Sequence, residues 1–265
     1  MKTRIGIRRL AAVLLAAPLL AVVAAAGPGQ ASPDGDGGHR DDRDHWGIIT
    51  RNTIGSPVAD LRNGPFGSFG VFGPESRPPY GQGSLGIEVA DGATALTPPA
   101  EKVDFGNEVD FFGRPVSGLT QVGFHVFQTG ENITYGGSRN MPNIRFEIDP
   151  NLAALPTTEY STLVWAPAAA PVTNRWSGYL DAATSGTWFL TGAAGTATNC
   201  NLTVQCTFAE VKARLDADGG EPATVYTAAV GKGRDFMWIG AVDGLRINNT
   251  VYDFEVSGVR QRPAA

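Results

Sequence analysis

Apolar side chains in this chain recur at every second residue, in short runs, and that is the period of a β-strand. The stretch Arg234 to Glu255, RDFMWIGAVDGLRINNTVYDFE, constrains the fold most. Phe236, Trp238, Gly240 and Val242 alternate with Met237, Ile239, Ala241 and Asp243, and Leu245 and Ile247 follow. Asn248-Asn249 supplies turn chemistry, and Val251, Tyr252 and Phe254 resume the pattern. Both alternating sets are largely apolar, so the first of these two strands is expected to be covered on both faces. Asp243 interrupts that run, and a carboxylate there needs a cation, backbone N–H groups or a metal as partner.

The rest of the chain repeats the theme. GIITRNTIGSPVADLR predicts one or two edge strands, and GSLGIEVAD a strand with Leu85, Ile87 and Val89 on one face. Between them lies a loop dense in Gly and Pro, whose Phe66, Phe69 and Phe72 are expected to pack. Val103, Phe105, Val109 and Phe111 fall on strands around Gly106-Asn107. GLTQVGFHVFQTG is the clearest alternation, with His125 reading as a packed or hydrogen-bonded residue rather than a ligand. NIRFEID places Ile144, Phe146 and Ile148 on one face and Arg145, Glu147 and Asp149 on the other. STLVWAPAAAP and RWSGYLDAATSGTWFL add strands around Trp165, Trp176, Tyr179 and Trp188.

One segment reads as a helix. Thr207 and Glu210 fit a capping box, Phe208, Val211 and Leu215 have helical spacing, and Gly219-Gly220 stops it. Many short strands with a single helix predict an all-β chain. The expected fold is a β-sandwich, a jelly roll of concanavalin-like or galactose-binding-like type, with one short helix, as a single domain over residues 46–260.

The N-terminus reads as a targeting segment. MKTRIGIRR and the Ala-, Leu- and Val-rich run after it form a secretory signal, with small-residue cleavage sites after Ala26 or Ala31. The expected product is secreted and extracellular, with residues 32–45 as a disordered polar leader in which His39 and His45 are solvated. Loss of Lys2, Arg4, Arg8 and Arg9 with the signal takes 21 basic residues to 17, against 26 acidic ones. So acidic a chain is a poor partner for nucleic acid or for an anionic membrane surface. About 235 residues remain, enough for one large β domain. Cys200 and Cys206, in CNLTVQC, pair most simply with each other in a secreted chain. The closed loop is short, so the bridge pins a local loop rather than the whole fold.

Several of these stretches carry a resemblance. GPESRPPYGQGSLGIEV, LTQVGFHVFQTG, NIRFEID, NRWSGYLDAATSGTWFL, TFAEVKARL and the closing VDGLRI…YDFE, in that order, resemble jelly-roll modules of bacterial secreted and surface proteins. The order is similar to that of carbohydrate-binding modules attached to polysaccharide-degrading enzymes, from about Phe72 to Glu255. The resemblance implies a jelly roll, often with a structural calcium near the first and last strands, for which Glu88 and Asp243 are the matching residues. No run of several oxygen ligands is visible, and calcium takes about six to eight. It also implies a glycan-binding face, and Trp176, Tyr179 and Trp188 are the candidate ligand residues, against the competing reading that each is core.

Catalysis is less well supported. Glu147 and Asp149 share a strand face, as in laminarinase-like jelly-roll enzymes, but Pro150, Asn151 and Leu152 follow where that pattern places a further Glu. The preferred reading is a solvent-facing acidic edge paired with Arg145. No Gly-x-Ser-x-Gly elbow occurs, and the Gly-rich stretches precede strands rather than helices, so none reads as a nucleotide fingerprint. The expectation is a secreted non-catalytic protein that binds a polysaccharide or another cell-surface partner. The alternatives are a glycan-active hydrolase or lyase and a structural surface or matrix protein.

Overall fold

The structure is a computed structural model and describes residues 45–67, 70–90, 100–157, 159–170 and 172–264. The expected signal, His39 and Phe69 lie outside the described residues. In chain order the first strands are β1 (Trp46–Ile48), β2 (Val58–Asn63), β3 (Gly83–Val89), β4 (Lys102–Asn107), β5 (Arg114–Pro115) and β6 (Val122–Gln128). Helix α1 (Gly130–Gly136) leads to β7 (Asn143–Asp149), β8 (Ser161–Ala166), β9 (Arg175–Trp176), β10 (Leu180–Asp181) and β11 (Thr187–Leu190). Helices α2 (Gly192–Thr198) and α3 (Phe208–Leu215) precede β12 (Thr224–Gly233), β13 (Trp238–Ile247), β14 (Thr250–Glu255) and β15 (Gly258–Pro263).

These strands build an all-β sandwich of two antiparallel sheets. The first sheet runs β1-β4-β12-β7-β8-β11, with β5 also on β12. The second runs β10-β6-β13-β14-β15, with β3 on β13, β2 on β3 and β9 on β6. β13 is the hub of the second sheet. It pairs β6 along one edge, and β3 and then β14 along the other, so nearly all of it is buried. That accounts for the two apolar alternating sets in its sequence.

Aromatic contacts tie the sheets together. Trp46 of β1 meets Tyr252 and Phe254 of β14 at 4.9 and 5.9 Å between ring centroids, and Phe124 of β6 meets Trp165 of β8 edge-on at 5.5 Å. The capping box of α3 forms as its sequence predicts, with the Thr207 side chain accepting from the Glu210 N–H. Phe208 then seats the helix on Trp188 at 4.6 Å.

Three readings change. Among the described residues there are three short α-helices rather than one. The extra two, GENITYG and GAAGTAT, carry no apolar stripe, and α2 buries only Ala194, Gly195 and Thr198. Small residues let it lie close to the backbone of β11, so its packing leaves no helical period in the sequence. Phe72 is 83% exposed rather than packed. The ordered region begins before Trp46 and runs past residue 260: the His45 Nδ1 lies 2.7 Å from Asp110 Oδ1, and β15 reaches Pro263.

Candidate functional site

The outer face of the first sheet carries a groove of about 630 Å³, within the range that holds a small ligand. Its floor follows from strand parity. Ile144, Phe146 and Ile148 of β7 enter the core, so Asn143 and Arg145 face outward. Leu163 and Trp165 of β8 enter the core, so Thr162, Val164 and Ala166 face outward. On β11, Trp188 and Leu190 point in and Phe189, half-buried, points out into the groove.

One wall is the loop closed by the disulfide between Cys200 and Cys206, which presents Leu202 and Gln205. Asn201 holds that loop in shape: its side-chain oxygen accepts from the Thr203 and Val204 N–H groups, each at 3.0 Å. Leu202 is 67% exposed at the rim. The other walls come from Arg139 and Met141, ahead of β7, from Gly233 at the end of β12, and from Arg234 and Asp235 after it.

Charge on this face is ordered. Arg145 is 6% exposed and donates through Nη1 to Asp104 and through Nη2 to Asn143 Oδ1 at 3.3 Å and the Gly233 carbonyl at 3.4 Å. Lys102 Nζ lies 3.3 Å from the other Asp104 oxygen. Gly231 of β12 makes this possible, because a methyl group there would collide with the Asp104 carboxylate. Burial pushes the Lys102 ammonium below its ordinary pKa, and the nearby Arg145 charge adds to that, against the pull of Asp104. Lys232, fully buried and bonded to Asp235, is lowered for the same reasons.

Glu147 is not a solvent-facing edge and does not pair with Arg145. It is buried, and it accepts from Asn52 Nδ2 at 2.8 Å, from the Tyr160 hydroxyl at 2.7 Å and from Arg51. Burial pushes its carboxyl up, but the Tyr160, Asn52 and Thr227 bonds and the Arg51 charge together hold it below the usual value. Asp149 is spent on the Tyr226 hydroxyl at 3.0 Å and on the Asn151 N–H at 3.0 Å. A glycosidic general acid has to keep its proton near neutral pH, and Glu147 does not.

The residues expected to bind ligand do not come together. Trp188 is fully buried; its Nε1 donates to the Ala182 carbonyl at 2.8 Å and its ring lies between Phe146 and Phe208. It cannot meet a sugar, and its neighbour Phe189 takes the outward position. Trp176 and Tyr179 sit on the second sheet instead. Trp176 is half-buried against Phe127, and Tyr179, 38% exposed, lies 5.9 Å from the His125 ring. Burial, with the nearby Asp181 charge, pushes the Tyr179 hydroxyl up to about 12. His125 Nδ1 is 3.0 Å from the Ser177 carbonyl, which can only accept, so that nitrogen carries the proton.

Glu88 and Asp243 are also apart. Glu88 is exposed and stands opposite Ile239, whereas Asp243 stands opposite His125, four residues further along β13. Asp243 Oδ2 accepts from the Tyr80 N–H at 3.0 Å and Oδ1 from the Phe254 N–H at 3.2 Å. Both oxygens face N–H donors, which repel a cation, so this pair does not fit a shared calcium. Among the described residues no three His, Cys, Asp or Glu side chains converge as a metal site.

The groove residues escape local sequence patterns. Lys102, Arg139, Arg145 and Arg234 come from distant segments and form no basic run, and Phe189 was overshadowed by the larger Trp188 beside it. The outward polar set of NIRFEID was the one usable signal. No family model, curated protein or solved structure matches this chain.

Proposed function

We propose that the protein is a secreted, non-catalytic binding module, and that its ligand is a glycan of a cell surface or extracellular matrix, held in the groove of the first sheet. The observation that carries this reading is the make-up of the groove. The half-buried Phe189 and the apolar Val164 and Leu202 offer a face for a sugar ring, while Asn143, Gln205 and the guanidinium groups offer hydrogen bonds to its hydroxyls. Hydrolysis lacks support because the nearest buried carboxylates, Glu147 and Asp104, are both engaged by cations. The disulfide and the secretory pattern of the N-terminus favour an extracellular setting.

The test is a pull-down of the full chain on insoluble and immobilised polysaccharides, paired with Phe189→Ala. Retention on at least one glycan, with no release of reducing ends or unsaturated products, is the expected result. The Phe189→Ala variant should lose about tenfold in affinity, as for removal of one stacked ring. Absence of retention on every glycan, or unchanged retention of Phe189→Ala, contradicts the reading.

A further inference from the structure

The groove is basic in an acidic protein. The chain as a whole carries a net charge of −5. Yet four of the residues lining the groove are the cations Lys102, Arg139, Arg145 and Arg234, and among the described residues Asp235 is the one acidic lining residue. Asp235 is already bonded to the buried Lys232. Asp104 lies beneath the floor and faces two cations, Lys102 and Arg145. Among the described residues, positive charge therefore exceeds negative in this groove, where low-dielectric walls strengthen its field.

The arrangement of Arg145 is the more specific sign. Its guanidinium contacts Asn143 and Gly233, both lining residues, so it lies along the groove floor. Its Nε–H is buried and meets no acceptor among the described residues. A buried donor on a cation is costly to leave unpaired. Arg139, exposed at the rim, is tied through Nε to the Pro167 carbonyl at 3.1 Å. That contact fixes the base of its guanidinium beside the groove.

Resting on the glycan reading above, we infer that the groove selects an acidic glycan, one bearing uronate carboxylates or sulfate esters, and that Arg145, Lys102 and Arg139 hold its oxyanion. A planar guanidinium suits either group, since both present paired oxygens to a fork of N–H donors. Burial lowers the Lys102 pKa in the free protein and the nearby Arg145 charge adds to that, against the pull of Asp104; an anion bound beside the two cations favours their charged forms.

The experiment is isothermal titration of the full chain with four polymers: polygalacturonate, dextran sulfate, neutral dextran and poly-glutamate, each at low and at high salt. Binding of polygalacturonate or dextran sulfate at least about tenfold tighter than dextran is expected, with loss at high salt. The tighter of the two acidic polymers then names carboxylate or sulfate as the group recognised. Arg139→Gln, a rim change that spares the buried ion pairs, should weaken acidic-glycan binding roughly fivefold without moving the melting temperature. Dextran binding as tightly as the acidic polymers, insensitive to Arg139→Gln, overturns the inference while leaving the glycan reading standing. Poly-glutamate binding as tightly as polygalacturonate overturns it too, since charge alone is then recognised. Silence of all four polymers overturns the inference, and the polysaccharide pull-down then decides the glycan reading separately.

Discussion

Asp243 and Glu147 are both buried acids, and their surroundings drive them in opposite directions. Burial pushes the Asp243 carboxyl up to about 7, against three backbone N–H donors and with help from the Asp253 charge. In the window between the ordinary carboxylate value and about 7 the folded state holds a proton that the unfolded state has lost. This group's contribution to stability therefore falls as pH rises from about 4 to about 7, and is flat above. Glu147 is lowered, so its contribution is present above its ordinary value of 4.5 and is lost as pH falls through the folded pKa. Denaturant midpoints measured from pH 4 to pH 8 should show this. The stability difference between wild type and Asp243→Asn should shrink across that range, by on the order of 3 kcal/mol, and stay constant above pH 7. A constant difference from pH 4 to pH 8 contradicts the assignment. That Asp243 needs partners was legible in the sequence, because a carboxylate stood inside an apolar run. Which partners was not, because Tyr80 lies 163 residues away along the chain. At Trp188 and Phe189 the difficulty was parity: strand alternation says that one of two neighbours is core, and only the sheet partner decides which.

The element that shapes the groove is the short disulfide loop between α2 and α3. Cys200 and Cys206 are both buried, and Cys206 exchanges backbone hydrogen bonds with Trp188 at 2.7 and 2.9 Å. The bridge thus fixes a groove wall against the strand that supplies Phe189. For so short a loop the chain-entropy contribution is about 2 kcal/mol. Replacing both cysteines by serine should lower unfolding free energy by about that amount and leave the chain folded. Glycan affinity should fall more than stability suggests, because Leu202 and Gln205 lose their fixed position. Calorimetric melting and titration of the same variant measure both effects, and unchanged affinity in the double serine variant excludes the loop from the site. Elements with a strong period were legible: β6, β7, β13 and α3 all appear where their alternation or capping box predicts. Helices α1 and α2 were not, because they pack through glycine, alanine and a buried Asn132 that pairs with the Ile239 backbone.

For the whole molecule, alternation foretold two packed sheets, since nearly every strand has one apolar face and the long β13 has two. It did not foretell their order, which depends on pairings such as β12 with β4 and β7 across large sequence separations. The same distance hid the groove, whose cations converge only once the first sheet is assembled. The two outer faces now make distinct offers. The first sheet presents a basic groove with an aromatic on its floor. The second presents Tyr80, His125 and Tyr179 packed over the Asp243 seam. Titration of the isotopically labelled full chain with polygalacturonate, followed by backbone amide shifts, separates them directly. Shifts concentrated in β8, β11, the loop of residues 200–206 and the segment around Arg234 are the expected result. Shifts centred on Trp176 and Tyr179, or none at saturating polymer, contradict it.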